Sequence, residues 1–125
     1  MNKLIEKSET SQSRIVFPGD LNDHDTLFGG KAMQWMDEVA YITAIRYSGK
    51  KMVTVTVNEV YFLNPVKSGS IVQINGRIVK AGNVKVLIGV EMYCEEMITG
   101  KREKAINAMF TFAAVNHENK PVRIK

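Results

Sequence analysis

The sequence predicts an α+β fold, an antiparallel sheet with one long helix laid on one face. Three observations carry this: one stretch, from Gly29 to Tyr47, has the apolar spacing of a helix; four later stretches alternate as strands do; and the connections between those strands are of hairpin length. At 125 residues the chain can bury one real core but is too short for two conventional domains. We expect a single folded unit over 14–125, preceded by a polar segment, 1–13, that is flexible or packed as an edge.

Arg14 to Phe17 is a short β-prone run closed by Pro18-Gly19, because Pro presets φ and Gly tolerates φ > 0. A polar loop follows, then the helix. Ala32, Met33, Trp35, Met36, Val39, Ala40, Ile42, Ala44 and Ile45 leave only a narrow water-facing stripe of Lys31, Gln34 and Glu38, the pattern of a buried helix. Ser48-Gly49 stops it, with Lys50-Lys51 near its negative dipole end. Met52 to Leu63 reads as a long strand with Val53, Val55 and Val57 on one face and Thr54, Thr56 and Asn58 on the other. Asn64-Pro65 ends it. Ile71 to Lys80 sets Val72, Ile74 and Ile78 against Gln73, Asn75 and Arg77, and Ala81-Gly82-Asn83 turns tightly into Val84 to Cys94, where Val84, Val86, Ile88, Val90, Met92 and Cys94 share a face. In the last strand, Arg102 to Val115, Ile106, Ala108, Phe110, Phe112 and Ala114 face one way. Met109, Ala113 and Val115 face the other, and one helix covers only one face; a symmetric second copy is the economical cover for the rest.

Hydrophobic residues at 45% and charged residues at 24% give the balance of a globular protein, and no apolar run approaches the roughly 20 residues of a membrane span. The N-terminus lacks a secretory pattern, so a cytoplasmic location is expected. With one cysteine, Cys94, no internal disulfide forms, and its alternating apolar neighbours make it a core thiol. His24 and His117 lie far apart, so neither a metal site nor a cofactor is expected. A net charge of +4 favours an anionic partner, but the basic residues are scattered through turns and strands, which argues against nucleic acid.

Four places carry candidate chemistry. Asp37 sits within the apolar helix, where an ionised carboxylate needs a partner or a task; the plain alternative is that it widens the polar stripe beside Gln34 and Glu38. Gly29-Gly30 opens the helix, and amides there, reinforced by the dipole, can hold negative charge developing on oxygen. Such a pair is also an ordinary loop-to-helix turn. Asp37 lies seven residues after Gly30, about 10 Å along the axis, so one chain cannot easily bring both to one carbonyl. Asn22 and His24 precede the glycines, as helix caps or as groups that orient water or take a proton. Lys80, Gly82, Asn83 and Lys85 surround the tight hairpin as a possible phosphate contact or a plain solvated turn.

The strings LNDHDTLFGGKAMQWMDEVA and VTVTVNEVYFLNPVKSGSIV closely resemble the hotdog-fold acyl-CoA thioesterases, in the branch of the bacterial YciA-type enzymes and the animal cytosolic acyl-CoA hydrolases. The resemblance runs from about Val16 to Val122 and rests on Asn22, Phe28-Gly29-Gly30, Asp37 and the F-L-x-P-V-x-x-G run from Phe62. It implies a sheet wrapped around the central helix, subunits paired through their sheets, and dimers assembled into hexamers, a trimer of dimers. It also implies hydrolysis of acyl-CoA at a site where Asp37 of one chain activates water or attacks the thioester, while Asn22 and the Gly30 amide of the other orient water and polarise the carbonyl. Phe28 and Gly29 would border the substrate, and Lys80, Gly82, Asn83 and Lys85 would meet coenzyme A. One departure stands out: where relatives often have N-x-x-G, this chain has Asn22-Asp23-His24-Asp25, a more acidic loop. A hotdog dehydratase using His24 and Glu38 is the rival enzyme, although the chain lacks that class's proline-rich loop and late Gly. A non-catalytic acyl-CoA binding module is the other rival, and it would need neither Asp37 nor Asn22. Met33, Trp35 and Phe62 are candidates for setting acyl-chain length.

Overall fold

The computed structural model describes residues 2–124. In chain order the elements are α1 (Asn2–Ser8), β1 (Thr10–Ile15), a one-turn 3-10 helix (Pro18–Asp20), α2 (Gly29–Ser48), β2 (Lys51–Phe62), β3 (Ile71–Ala81), β4 (Lys85–Glu95) and β5 (Arg102–Val115). The five strands form one sheet in the order β1-β3-β4-β5-β2, with every pairing antiparallel. The sheet wraps α2, which touches all five strands. This is the helix-on-sheet layering that the sequence predicts.

The core fills the space between α2 and the sheet. Ala32, Met36, Val39, Ala40 and Ala44 of the helix meet Val72 and Ile74 of β3, Ile88, Val90 and Met92 of β4, and Phe110 and Phe112 of β5, all of them buried. Each large side chain removed from water there contributes about 1.5–3 kcal/mol. The helix packs tightly on the sheet at Gly76, where an added Cβ would lie 2.8 Å from Thr43 Oγ1 and 3.0 Å from Val39 Cγ1. Thr43 keeps its hydroxyl occupied by donating to the Val39 carbonyl one turn back, at 2.9 Å. Gly49, at φ 66, closes the helix, its N–H donating to the Ile45 carbonyl at 2.7 Å.

Several local expectations need correction. Residues 2–8 are helical and residues 10–13 belong to an edge strand, so the first strand begins four residues earlier than its β-prone run suggests. On β2, register shifts between Thr54 and Thr56 and between Asn58 and Tyr61 break the alternation. Val53 pairs with Ala113 and Val57 with Phe110, so these two valines lie on opposite faces, while Thr54, opposite Phe112, points toward the helix. Ala113 and Val115, expected to await a partner, are buried in the chain itself. The segment after β5 returns against them: Pro121 bridges Val115, and the Val122 N–H donates to the Ala114 carbonyl. Cys94 is only half-buried and lines a surface cavity of about 640 Å³ with Pro65, Lys67, Met97 and Lys101.

Candidate functional site

Asp37 sits on the side of α2 that leans toward β2. It is half-buried, and Thr54 Oγ1 donates a hydrogen bond to its Oδ1 at 3.1 Å. The next residue, Glu38, leans the other way, to β1 at the opposite edge of the sheet, where it pairs with Arg14 at 3.1 Å and accepts from Gln34 Nε2 at 3.3 Å. Arg14 in turn lies over the Trp35 ring, 4.8 Å from its centroid. Two adjacent acids on one helix thus serve different edges: Glu38 pairs with Arg14 toward β1, and Asp37 accepts from Thr54 on β2.

The loop before α2 is built by Asn22. Its Oδ1 accepts from the His24 N–H at 2.8 Å and the Thr26 N–H at 3.2 Å, and its Nδ2 donates to Thr26 Oγ1 at 3.1 Å. The Asn22 N–H closes the turn on the Thr26 carbonyl at 2.8 Å, and Asp25 takes φ 64 at its tip. The turn is anchored to the sheet side by a Thr26 to Lys67 bridge and by the Leu27 N–H donating to the Val66 carbonyl at 2.7 Å. His24, by contrast, projects into water with 82% of its side chain exposed; its nearest charged group is Asp23, at 3.8 Å.

Phe28 caps α2 with an extended backbone and no side-chain hydrogen bond, so the first helical amides rely on other partners. Neither glycine has a positive φ, and of the two only Gly30 is crowded. A Cβ on Gly30 would come within 3.1 Å of the Phe28 ring, and one on Gly29 within 3.7 Å of the Phe62 ring. Both rings are more than half exposed. Asn22, Thr26, Gly29, Phe62, Leu63 and Ile106 border a cavity of about 300 Å³ at this end of the helix.

The structure therefore assembles two clusters in one chain. Asn22, Phe28, Gly29 and Gly30 gather at the N-terminus of α2; Asp37 stands two turns along with Thr54. Lys80, Gly82, Asn83 and Lys85 do not join either. Their hairpin lies two strands away from β2, at the end of the sheet opposite the helix N-terminus, where Lys85 pairs with Ala113, the partner of Val53, and the Ile124 N–H donates to the Asn83 carbonyl at 2.7 Å. Thr54 is the residue that sequence reasoning missed as a candidate. Its signal was a hydroxyl within a valine-rich strand, masked by the bulge that reverses the alternation after it.

A model of the Thioesterase superfamily matches residues 24–101. The chain belongs to the thioesterase superfamily. Among curated members, the chain is 33% identical over 122 residues to the uncharacterized acyl-CoA thioester hydrolase YkhA of Bacillus subtilis, covering 98% of this chain and 71% of that protein. Of the rat cytosolic acyl coenzyme A thioester hydrolase, 31% identical, it spans 32%. Among solved thioesterase structures, the acyl-CoA hydrolase of Bacillus cereus superposes with a TM-score of 0.92 at 39% identity, covering 95% of this chain and 73% of that one. The acyl-CoA hydrolase of Staphylococcus aureus, solved with butyryl coenzyme A and coenzyme A, gives 0.89 at 34% identity with the same coverage. These likenesses bear out the hotdog fold and the family resemblance read from the sequence.

Among the described residues, no group of three His, Cys, Asp or Glu side chains is placed to hold a metal ion, and no helix is long and apolar enough to cross a membrane.

Proposed function

We propose that this thioesterase hydrolyses acyl-CoA to coenzyme A and a carboxylic acid at sites completed by two copies of the chain. The observation that carries the reading is the Asp37–Thr54 pair, which ties a half-buried helix carboxylate to β2, an edge strand of the sheet. Asp37 takes a proton from water, the resulting hydroxide attacks the thioester carbon, and the oxyanion is held by the amide of Gly30 at the helix start. Collapse of the tetrahedral intermediate breaks the C–S bond, and the proton passes to the leaving thiolate. A covalent variant, in which the Asp37 carboxylate itself attacks and a mixed anhydride is then hydrolysed, uses the same atoms.

The second copy supplies what one chain separates. β2 lies at the sheet edge, and Val55, Val57, Tyr61 and Phe62 on it are exposed, an edge that calls for a cover. Antiparallel pairing of β2 with its symmetry mate sets the Thr54 region of one chain beside the Phe62 end of the other. Phe62 lies against Gly29, so this pairing carries Asn22, Phe28 and Gly30 of one subunit toward Asp37 of its mate. It also sets the Asp37 subunit's Lys80 to Lys85 hairpin on the edge that bears the mate's Gly30. There Lys80 and Lys85, with Gly82 and Asn83, meet the coenzyme A phosphates. Two further neighbours are hexameric acyl-CoA thioesterases, and a trimer of such dimers is the assembly we assign here. Three alanine variants of the Staphylococcus aureus hydrolase replace an aspartate, a threonine and an asparagine whose sequence separations match those of Asp37, Thr54 and Asn22. We place the enzyme in the cytoplasm, with no nucleic acid partner.

Thiol release from a panel of acyl-CoAs tests the reading. Asp37→Asn loses at least about a hundredfold in kcat, the lower end for removal of a general base. Mixing Asp37→Asn with Asn22→Ala restores one working site of two in the mixed dimers. Full hydrolysis by the doubly substituted chain would overturn the site.

A further inference from the structure

We propose that the acyl chain of the substrate lies in the cavity beside Gly29, and that Pro65 is the partition that ends this cavity and so sets chain length. The inference rests on the thioester-hydrolase reading above and assigns the part of the substrate that lies beyond the reacting carbonyl.

The cavity of about 300 Å³ begins at Gly29, one residue from the amide assigned to the oxyanion, and its apolar wall is Leu27, Phe62, Leu63, Pro65, Val66 and Ile106. A second cavity, of about 640 Å³, lies at the same end of the sheet, with Cys94, Met97 and Ile98 on its wall. Among the described residues, Pro65 alone lines both. Its neighbours pin it from either side. The Leu63 and Asn64 N–H groups donate to the Ala105 carbonyl at 2.7 and 3.2 Å, and the Val66 carbonyl accepts from the Leu27 N–H at 2.7 Å. The proline ring fixes its own φ, so the partition is stiff.

The subunit pairing proposed above sets the direction of the substrate. Across that end of the paired sheet the order is Lys85, Ala113 and Val53 of one subunit, then Phe62 and Ile106 of its mate. With the phosphates held at Lys80 and Lys85, the acyl group leaves the carbonyl on the other side, into the mate's cavity. The polar side chains there are occupied locally: Asn22 donates to Thr26 at 3.1 Å, and Asn64 Nδ2 to the Lys104 carbonyl at 2.7 Å. What remains is an apolar wall, which suits an alkyl chain and leaves little to satisfy a polar one. A methylene takes about 30 Å³, the share of one molecule in liquid water, so this cavity holds at most about ten carbons. Longer chains meet the Pro65 ring. Of the sequence candidates for chain length, Phe62 lines this cavity, whereas Trp35 lies under Arg14 toward the β1 edge.

The test is kcat/KM for a series from butyryl-CoA to hexadecanoyl-CoA with wild type, Pro65→Ala and Leu63→Trp. Each methylene that gains cover is worth about fourfold, so wild type should rise with chain length to about ten carbons and no further. Pro65→Ala should raise the hexadecanoyl-to-octanoyl ratio at least about tenfold, by admitting the tail to the second cavity. Leu63→Trp, at an exposed position on the first cavity, should lower the octanoyl-to-butyryl ratio by a similar factor. Cys94, the one cysteine of the chain, lines the second cavity and gives a readout that does not depend on turnover. In the Asp37→Asn background, hexadecanoyl-CoA should protect Cys94 from alkylation only when Pro65→Ala is also present, and octanoyl-CoA should protect it in neither chain. If wild-type kcat/KM keeps rising through sixteen carbons, or if Pro65→Ala leaves the ratio within about twofold or Cys94 open to alkylation, the partition is overturned and the hydrolase reading stands. An unchanged ratio in Leu63→Trp would overturn the cavity assignment even where Pro65→Ala does not fold. If wild type releases no thiol from any member, the hydrolase reading itself falls.

Discussion

Replacing Thr54 with valine removes one hydroxyl and keeps the β-branched shape, so it probes the hydrogen bond to Asp37 with little else disturbed. The bond is 3.1 Å long and its acceptor is a carboxylate; hydrogen bonds to charged groups contribute about 1.5–3 kcal/mol, or about 10- to 150-fold in rate if the whole is felt in the transition state. Thr54 is exposed in the single chain, which favours the lower end, about tenfold in kcat. The useful measurement is the cycle of Thr54→Val, Asp37→Asn and the double variant, followed by thiol release at saturating acyl-CoA. If Thr54 works by holding the Asp37 carboxylate toward the water, its removal costs little once that carboxylate is an amide, and the two losses do not add. A Thr54→Val loss that is as large in the Asp37→Asn background as in wild type would refute the positioning role.

Other expected outcomes follow from the same geometry. His24→Ala retains activity within about twofold, because its side chain stands in water; a dead variant would revive the dehydratase reading. Asn22→Asp keeps the acceptor that folds the loop but replaces the Nδ2 donor with an oxygen and adds a negative charge beside Asp23 and Asp25, so amide exchange at His24 and Thr26 should stay protected while hydrolysis falls at least about tenfold. Gly76→Ala should destabilise the fold by about 1–3 kcal/mol in urea unfolding, since its methyl meets Thr43 and Val39. On the outer face of the sheet, Lys104 Nζ donates to Glu91 at 2.7 Å, and this hydrogen bond is the main reason the Glu91 carboxyl titrates below its ordinary 4.5 and the Lys104 ammonium above its ordinary 10.5. The carboxylate's contribution is therefore present above pH 4.5 and lost as pH falls below it, while the ammonium's is lost only in strong base. Lys104→Met should cost about 0.5–1 kcal/mol at pH 7, with the difference from wild type closing in acid.

The sequence made legible what depends on repeated patterns. The apolar run of α2 and the alternation through β3, β4 and β5 gave the layers and most of the core, because burial of a whole face imprints every second or every third and fourth residue. What stayed hidden rests on single contacts or on backbone alone. Residues 10–13, Thr-Ser-Gln-Ser, are polar because they form an edge, so their pairing with β3 leaves no apolar trace. The helix at residues 2–8 is too short to hold by propensity and gains support from Leu4 and Ile5 against the core. Thr54 became readable only once the bulge at Val55 was known, because an extra residue reverses the faces after it. Asp37 stood out in one dimension because a charge interrupts an apolar helix, whereas the difference between Asp37 and Glu38 depends on which edge of the sheet each reaches.

The order of the strands also bears on how the protein is made. β3 pairs with β4, and β4 with β5, as each emerges, but β2 binds only β5, the last strand of the chain. During synthesis β2 must therefore wait several seconds, at roughly 5–20 residues per second, with its backbone unpaired. Its threonines and asparagine alternate with valine over that interval, which keeps the waiting strand from being a uniformly greasy one. Thr54 reaches Asp37 only when β5 delivers β2 to the sheet, so a chain interrupted before Arg102 has a long helix and a bare carboxylate but no partner for it. The proposed site is among the last parts of the molecule to come into being.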